Sequence, residues 1–161
     1  MVRIDDSHPT VFLIDFGLAR FYRNPATYLH IPDSENQIII GTLPFMSINS
    51  QKGRAQSCRD DLESLTYTII YSTRGNLPWG SCATQSSRDS QKVLRSKSLI
   101  MVEKLCDGLP IPFREFVHHI HSLGFNEKPD YAYLHSILLQ CSETKTDQPS
   151  DVPVHTLRPR K

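Results

Sequence analysis

The order of apolar and polar residues divides the chain into an extended N-terminal part and a longer helical part. Four consecutive apolar residues occupy positions 11–14, a pattern typical of a short buried strand. Residues 18–22 predict a second short strand. Residues 23–46 contain three prolines and Gly41, and they predict a long loop of the kind that is usually functional or disordered.

The helical part begins near residue 60. Apolar residues recur at helical spacing between positions 61 and 71, at Leu62, Leu65, Ile69 and Ile70. Asp60 and Asp61 favour a helix start because carboxylates cap and stabilise helix N-termini. The turn residues of positions 75–80 end this helix. Weaker helical patterns cover residues 87–106, 112–122 and 130–140.

Composition adds few constraints. The net charge is +1, the hydrophobic fraction is 39%, and there are eleven prolines. Nothing global indicates a nucleic-acid or membrane partner, and Asp5 and Asp6 stand where a secretory signal would be apolar. The cysteines, at positions 58, 82, 106 and 141, form no CxxC pair and are expected to be reduced thiols. We therefore expect a soluble intracellular protein, cytoplasmic or nuclear.

Several short motifs follow one another in a fixed order. The apolar run 11–14 leads directly into Asp15-Phe16-Gly17. Gly41-Thr42 and Ser47-Ile48-Asn49 come next, and the run Arg59-Asp60-Asp61-Leu62-Glu63 opens the predicted helix. Leu77-Pro78-Trp79 and Lys128-Pro129-Asp130-Tyr131 complete the series.

This series resembles the serine/threonine protein kinases of the casein kinase 1 family. Asp-Phe-Gly after a strand is the metal-binding triplet of protein kinases, and Ser-Ile-Asn replaces the Ala-Pro-Glu of other kinases in this family. The resemblance covers residues 10–140. It implies a mainly α fold, a truncated protein-kinase-like C-lobe with one or two short residual strands. Residues 1–9 would be a short lead, and residues 141–161 a disordered tail.

The resemblance also implies roles for individual residues. Asp15 matches the aspartate that binds the magnesium of Mg-ATP, a hard oxygen ligand for a hard cation. Thr42 matches the substrate-loop threonine that contacts the catalytic aspartate. Asp61 matches the central-helix aspartate that accepts backbone N–H groups from the catalytic loop, which is a structural role. Lys92 is a loose match to a lysine of the family's anion site.

The sequence also departs from the family. It contains no His-Arg-Asp triplet and no GxGxxG, so the catalytic loop and the Gly-rich loop are missing, as is the ATP-binding lysine. Pro44 and Gly124 stand where the family carries arginines, and a guanidinium has no substitute in either side chain. His118, His119 and His121 crowd one predicted helix, but a zinc site needs further ligands. We expect a solvated helix face.

These observations leave three functional hypotheses open. The first is a casein kinase 1-like kinase fragment that binds no Mg-ATP productively and is inactive alone, because the parts of phosphoryl transfer must coexist. The second is a non-catalytic interaction module, a pseudokinase-like decoy or scaffold that binds protein substrates or kinase partners. The third is an incomplete gene product of an active kinase. Uncovered apolar residues of the predicted helix would favour self-association.

Overall fold

The computed structural model describes residues 2–4, 9–35, 37–80 and 87–143. It contains two compact units, residues 1–32 and residues 33–161. Each unit has its own local structure, and the residues implicated by the sequence are divided between them. Asp15 belongs to the first unit, whereas Thr42, Asp61 and Lys92 belong to the second.

The first unit contains a small antiparallel hairpin. Strand β1 (Val2–Ile4) pairs with strand β2 (Pro9–Val11), with Val2 opposite Val11. A short 3-10 helix follows at Phe16–Leu18, and an isolated bridge joins Arg23 to His30.

The predicted strand positions in this unit were wrong. The strand ends at Val11, and the apolar residues 12–14 are exposed and extend beyond the sheet. The reason is pairing, because the partner strand β1 lies in the expected lead and its register stops at Val11. Residues 18–22 form no strand either, since Leu18 ends the 3-10 helix. An apolar run predicts a strand only where a neighbouring strand can pair with it.

The second unit is helical, which confirms the mainly α fold. Its helices are α1 (Ile48–Gln51), α2 (Cys58–Arg74), α3 (Ser87–Leu99), α4 (Val102–Leu105), α5 (Ile111–Ser122) and α6 (Tyr131–Glu143). The pattern at 87–106 is divided into α3 and α4 because Met101 adopts an extended conformation. Of the predicted tail at 141–161, residues 141–143 are instead the last residues of α6, and the remainder lies outside the described residues. Within the described part of the chain, no helix has the length and apolar character needed to cross a bilayer.

Local capping fixes both ends of α2. Ser57 precedes the helix, and its backbone N–H donates to the Asp60 carboxylate at 2.9 Å. At the other end, Gly75 takes a left-handed conformation with φ of 76° and donates its N–H to the Tyr71 carbonyl. Glycine adopts this conformation without a steric penalty. The predicted helix is therefore confirmed, with a start at Cys58, before the two aspartates.

The core of this unit lies where α2 packs on α5 and α5 packs on α6. Tyr67, Ile70 and Phe116 are among its fully buried side chains. The expectation that the apolar face of α2 lacks cover is wrong for Leu62 and Ile70, which are 8% and 0% exposed. It holds for Leu65, which is 42% exposed. The apolar stripe of α2 is thus divided between a covered side and an open side.

This division predicts unequal costs of truncation within one helix. We expect Ile70→Ala to lower the free energy of unfolding by about 2–5 kcal/mol, because it leaves a cavity in the core. Leu65→Ala, the matched change at an exposed position, should cost less than about 1 kcal/mol. Urea denaturation of both variants measures the difference. Equal losses would show that the open side of α2 is covered in solution.

Candidate functional site

Asp15 lies in the first unit, in a tight turn. It has a left-handed conformation with φ of 63°, and its Oδ1 accepts the Gly17 N–H at 3.4 Å. The side chain is exposed, so the carboxylate is open to a cation. One carboxylate alone is a small part of the octahedral oxygen set that Mg²⁺ demands. No group of three or more His, Cys, Asp or Glu side chains that could hold a metal occurs among the described residues.

Thr42 begins a turn in the second unit. Its carbonyl accepts N–H groups from Phe45 at 2.9 Å and from Met46 at 3.1 Å. Thr42 itself is exposed, whereas Leu43, Pro44 and Met46 are buried. The turn therefore presents the threonine at the surface of the second unit while its following residues are held in the interior.

The Ser-Ile-Asn motif is bound to α2 through Asp60. This carboxylate is 1% exposed, and its Oδ1 accepts the Ser47 hydroxyl at 2.7 Å and the Asn49 amide at 3.1 Å. Its Oδ2 accepts the Ser57 N–H and lies 3.8 Å from Nε of Arg59. A buried carboxylate must be satisfied in this way because desolvation penalises its charge.

Glu63, one turn further along α2, binds the same motif. Its Oε1 accepts the Ile48 N–H at 3.0 Å and the Tyr67 hydroxyl at 2.6 Å. Burial raises the pKa of Glu63, and the two hydrogen bonds act in the opposite direction. Buried next to the carboxylate, the Tyr67 hydroxyl has a strongly raised pKa and remains a donor. Residues 42–49, called the anchored segment below, are thus attached to α2 by two carboxylates.

The structure gives Asp61 different surroundings from those of Asp60. Asp61 lies at the surface, and no hydrogen bond of its side chain occurs among the described residues. Partial burial, followed by the neighbouring Asp60 carboxylate, raises its pKa. Its expected role toward a catalytic loop stays a prediction. The sequence analysis missed the roles of Asp60 and Glu63, although their spacing of three residues places them on the same side of a helix.

Lys92, Pro44 and Gly124, the positions compared with the family's arginines and anion site, each have separate local surroundings. Lys92 is exposed on α3. The buried Pro44 contributes its carbonyl, which accepts the Trp79 indole N–H at 3.0 Å. Gly124 donates its N–H to Glu127 Oε2 at 2.8 Å. The anion role of Lys92 remains a prediction that these contacts do not support.

The three histidines make separate contacts. His118 Nε2 lies 3.4 Å from Glu103 Oε1, and both side chains are exposed. His119 packs edge-on against the ring of Tyr133 at 5.1 Å. Burial, followed by the nearby His118, lowers the pKa of His121. The histidines therefore do not converge on one point.

A matched pair of substitutions tests the assignment of Asp60. We expect Asp60→Asn to destabilise the chain by about 2–4 kcal/mol, because the amide leaves buried donors without an acceptor. Asp61→Asn should leave the chain at least as stable at neutral pH, since it removes a carboxylate whose pKa is raised by folding. Chemical denaturation at neutral pH measures both. A larger loss for Asp61→Asn would contradict the assignment.

The comparisons with known proteins agree with the motifs. Residues 1–73 match the family described as "Fungal protein kinase". The chain is 43% identical to Casein kinase I homolog 2 of Schizosaccharomyces pombe over 128 residues, which are 79% of this chain and 29% of that protein. It is 40% identical to Casein kinase I homolog 3 of the same yeast over 139 residues, which are 83% of this chain and 32% of that protein.

The chain therefore spans about a third of the length of these relatives. The similarity covers most of this chain. The chain belongs to the casein kinase 1 family.

Proposed function

We propose that these 161 residues form the substrate-facing part of a casein kinase 1-type serine/threonine kinase domain, and that they transfer no phosphate by themselves. The observation that carries this proposal is the attachment of the anchored segment to α2, with Thr42 exposed at its start. A loop that is fixed at its base and exposed at its tip is suited to contact a protein substrate.

The proposed lack of activity follows from the chemistry of phosphoryl transfer. The reaction depends on positioning and electrostatics, so metal ligands, a base and a phosphate-binding lysine must act together. Bound Mg-ATP would supply the phosphoryl group and the cation that neutralises its charge. Asp15 would provide one oxygen ligand to that cation. The motifs that carry the other parts do not occur in these residues.

An interaction module is the second candidate, and the open side of α2 favours it. Leu65 and Tyr71, both on α2, are 42% and 40% exposed, and exposed apolar surface can serve as a protein-binding site. In this function the helical unit binds a kinase partner, a protein substrate or a second copy of itself. The third hypothesis, an active kinase with its remaining elements encoded elsewhere in the gene, predicts a Gly-rich loop and a catalytic loop in frame upstream.

We also propose an intracellular location, cytoplasmic or nuclear. The cysteines in the described part of the chain, Cys58, Cys106 and Cys141, form no disulfide with one another. Burial raises the pKa of the Cys106 thiol to about 11, so this residue behaves as an unreactive core side chain.

The first prediction from this proposal concerns catalysis. Incubated with Mg-ATP and casein, the chain should incorporate labelled phosphate no faster than a protein-free control. Asp15→Ala should behave identically, because the catalytic loop and the ATP-binding lysine with which Asp15 would act do not occur in these residues. Millimolar ATP should leave the melting temperature unchanged, since a ligand must bind the folded state to raise it. Phosphate incorporation by the parent chain that disappears in Asp15→Ala would contradict the proposal and would show that the chain is an active kinase.

The second prediction concerns the open side of α2. We expect the chain to bind a hydrophobic dye and to self-associate with rising concentration in sedimentation velocity. Leu65→Glu should weaken both effects, because a charge at an apolar contact is costly to desolvate. Gln91→Glu, at an exposed position of α3 away from this surface, adds the same charge, is the control and should change neither. A dye-negative monomer that melts cooperatively would rule out this interaction surface.

A further inference from the structure

Lys97 is a buried cation that the function described above does not use. It lies on α3 and is 3% exposed, although lysine is almost never fully buried unless it is paired. Its ammonium Nζ donates to the Leu43 carbonyl at 2.9 Å and to the Met46 carbonyl at 2.7 Å. A side chain of α3 therefore contacts the anchored segment at two points.

Two aromatic rings complete the surroundings of the ammonium. Nζ lies 5.0 Å from the centre of the Tyr67 ring and 5.3 Å from the centre of the Trp79 ring. These distances fall within the range of cation–π attraction. The two rings meet edge-on at 4.8 Å, so they form one wall of the ammonium site.

Trp79 donates a hydrogen bond to a carbonyl that lies, in sequence, between the two carbonyls bound by Lys97. Its indole N–H donates to Pro44 at 3.0 Å. Lys97 and Trp79 thus donate to the carbonyls of Leu43, Pro44 and Met46, while the N–H groups of Phe45 and Met46 donate to the Thr42 carbonyl. Two N–H donors of the turn are satisfied within the turn, and three of its carbonyls are satisfied by Lys97 and Trp79.

The charge of Lys97 also acts on the other end of the anchored segment. The ammonium lowers the pKa of Glu63 against the effect of burial, and Glu63 holds the Ile48 N–H. Lys97 and Glu63 line the same cavity of about 260 Å³. This effect is a minor one beside burial and the hydrogen bonds, and it favours the ionised carboxylate.

We propose that Lys97 is a positioning residue, which fixes the turn of residues 42–46 and thereby the place of Thr42. The consequence for substrate contact rests on the proposed function, whereas the fixing of the turn does not. Lys97 does not touch a substrate. It acts through the carbonyls of Leu43 and Met46, and Trp79 assists at Pro44.

Hydrogen exchange of the 161-residue chain, followed by mass spectrometry, tests this proposal. In Lys97→Met the amides of Phe45 and Met46, which donate to the Thr42 carbonyl, should exchange at least about tenfold faster, because the turn loses charge-assisted hydrogen bonds. Amides of α5 and α6 should keep their protection. Lys92→Met, an exposed lysine of the same helix, is the matched control and should exchange like the parent.

A second variant and a spectroscopic readout separate positioning from general packing. Trp79→Phe keeps an aromatic ring without the indole donor, and it should accelerate exchange in the same turn by a smaller factor. Trp79 is the single tryptophan, so its emission reports on the site, and it should change in Lys97→Met but not in Lys92→Met. Unchanged exchange of the Phe45 and Met46 amides in Lys97→Met would overturn the proposal. So would a loss of protection throughout α5 and α6, which would make Lys97 a general core residue. Neither outcome depends on phosphate transfer.

Discussion

The burial of the Asp60 carboxylate is the constraint on which the arrangement of the second unit depends. A charge with 1% exposure costs several kilocalories per mole unless hydrogen bonds replace its water. Those bonds come from Ser47, Asn49 and the backbone of Ser57. Because the donors lie on both sides of the α1 turn, satisfying the carboxylate also determines the path of residues 47–57.

Glu63 and Lys97 are buried groups of opposite charge, and each also needs hydrogen-bond partners in place of water. Glu63 needs donors and finds them in Ile48 and Tyr67. Lys97 needs acceptors and finds them in the carbonyls of Leu43 and Met46. Each group would be costly alone, and each is accommodated because a short irregular segment offers backbone groups that no regular structure uses. The loop is ordered by the charges buried beneath it.

Much of the helical unit could be predicted from the sequence, because helices are encoded by local patterns. The spacing of Leu62 and Ile70 gave the buried side of α2, and Gly75 gave its end. The N-terminal strands were misplaced because pairing is decided by a partner that the apolar run at 11–14 does not reveal. β1 (Val2–Ile4) carries a pattern too short to be distinguished from a polar lead.

The candidate site was predictable in part and for the same reason. The motif around Ser47 and Asn49 could be recognised in the sequence. The resemblance, however, assigned a role to Asp61 and none to the adjacent Asp60. Which of Asp60 and Asp61 turns inward depends on the helix start at Cys58, and the sequence had placed that start two to three residues later. The role of Lys97 could not be predicted, because a lysine in a polar helix is expected to be solvated. Only the fold places the carbonyls of Leu43 and Met46 next to it.

The contacts at Pro44 separate what the fold requires from what the chemistry requires. Trp79 binds the carbonyl of this residue, and every amino acid supplies a carbonyl. An arginine at this position could therefore be replaced by proline without loss of that hydrogen bond, although the guanidinium would be lost with any anion it held.

The same reasoning applies to the anchored segment as a whole. Asp60, Glu63, Lys97 and Trp79 hold it through backbone groups and the polar side chains of Ser47 and Asn49, and none of these contacts involves Asp15. An ordered, family-like loop is thus compatible with either an active or an inactive domain, and activity depends on groups outside this set of contacts.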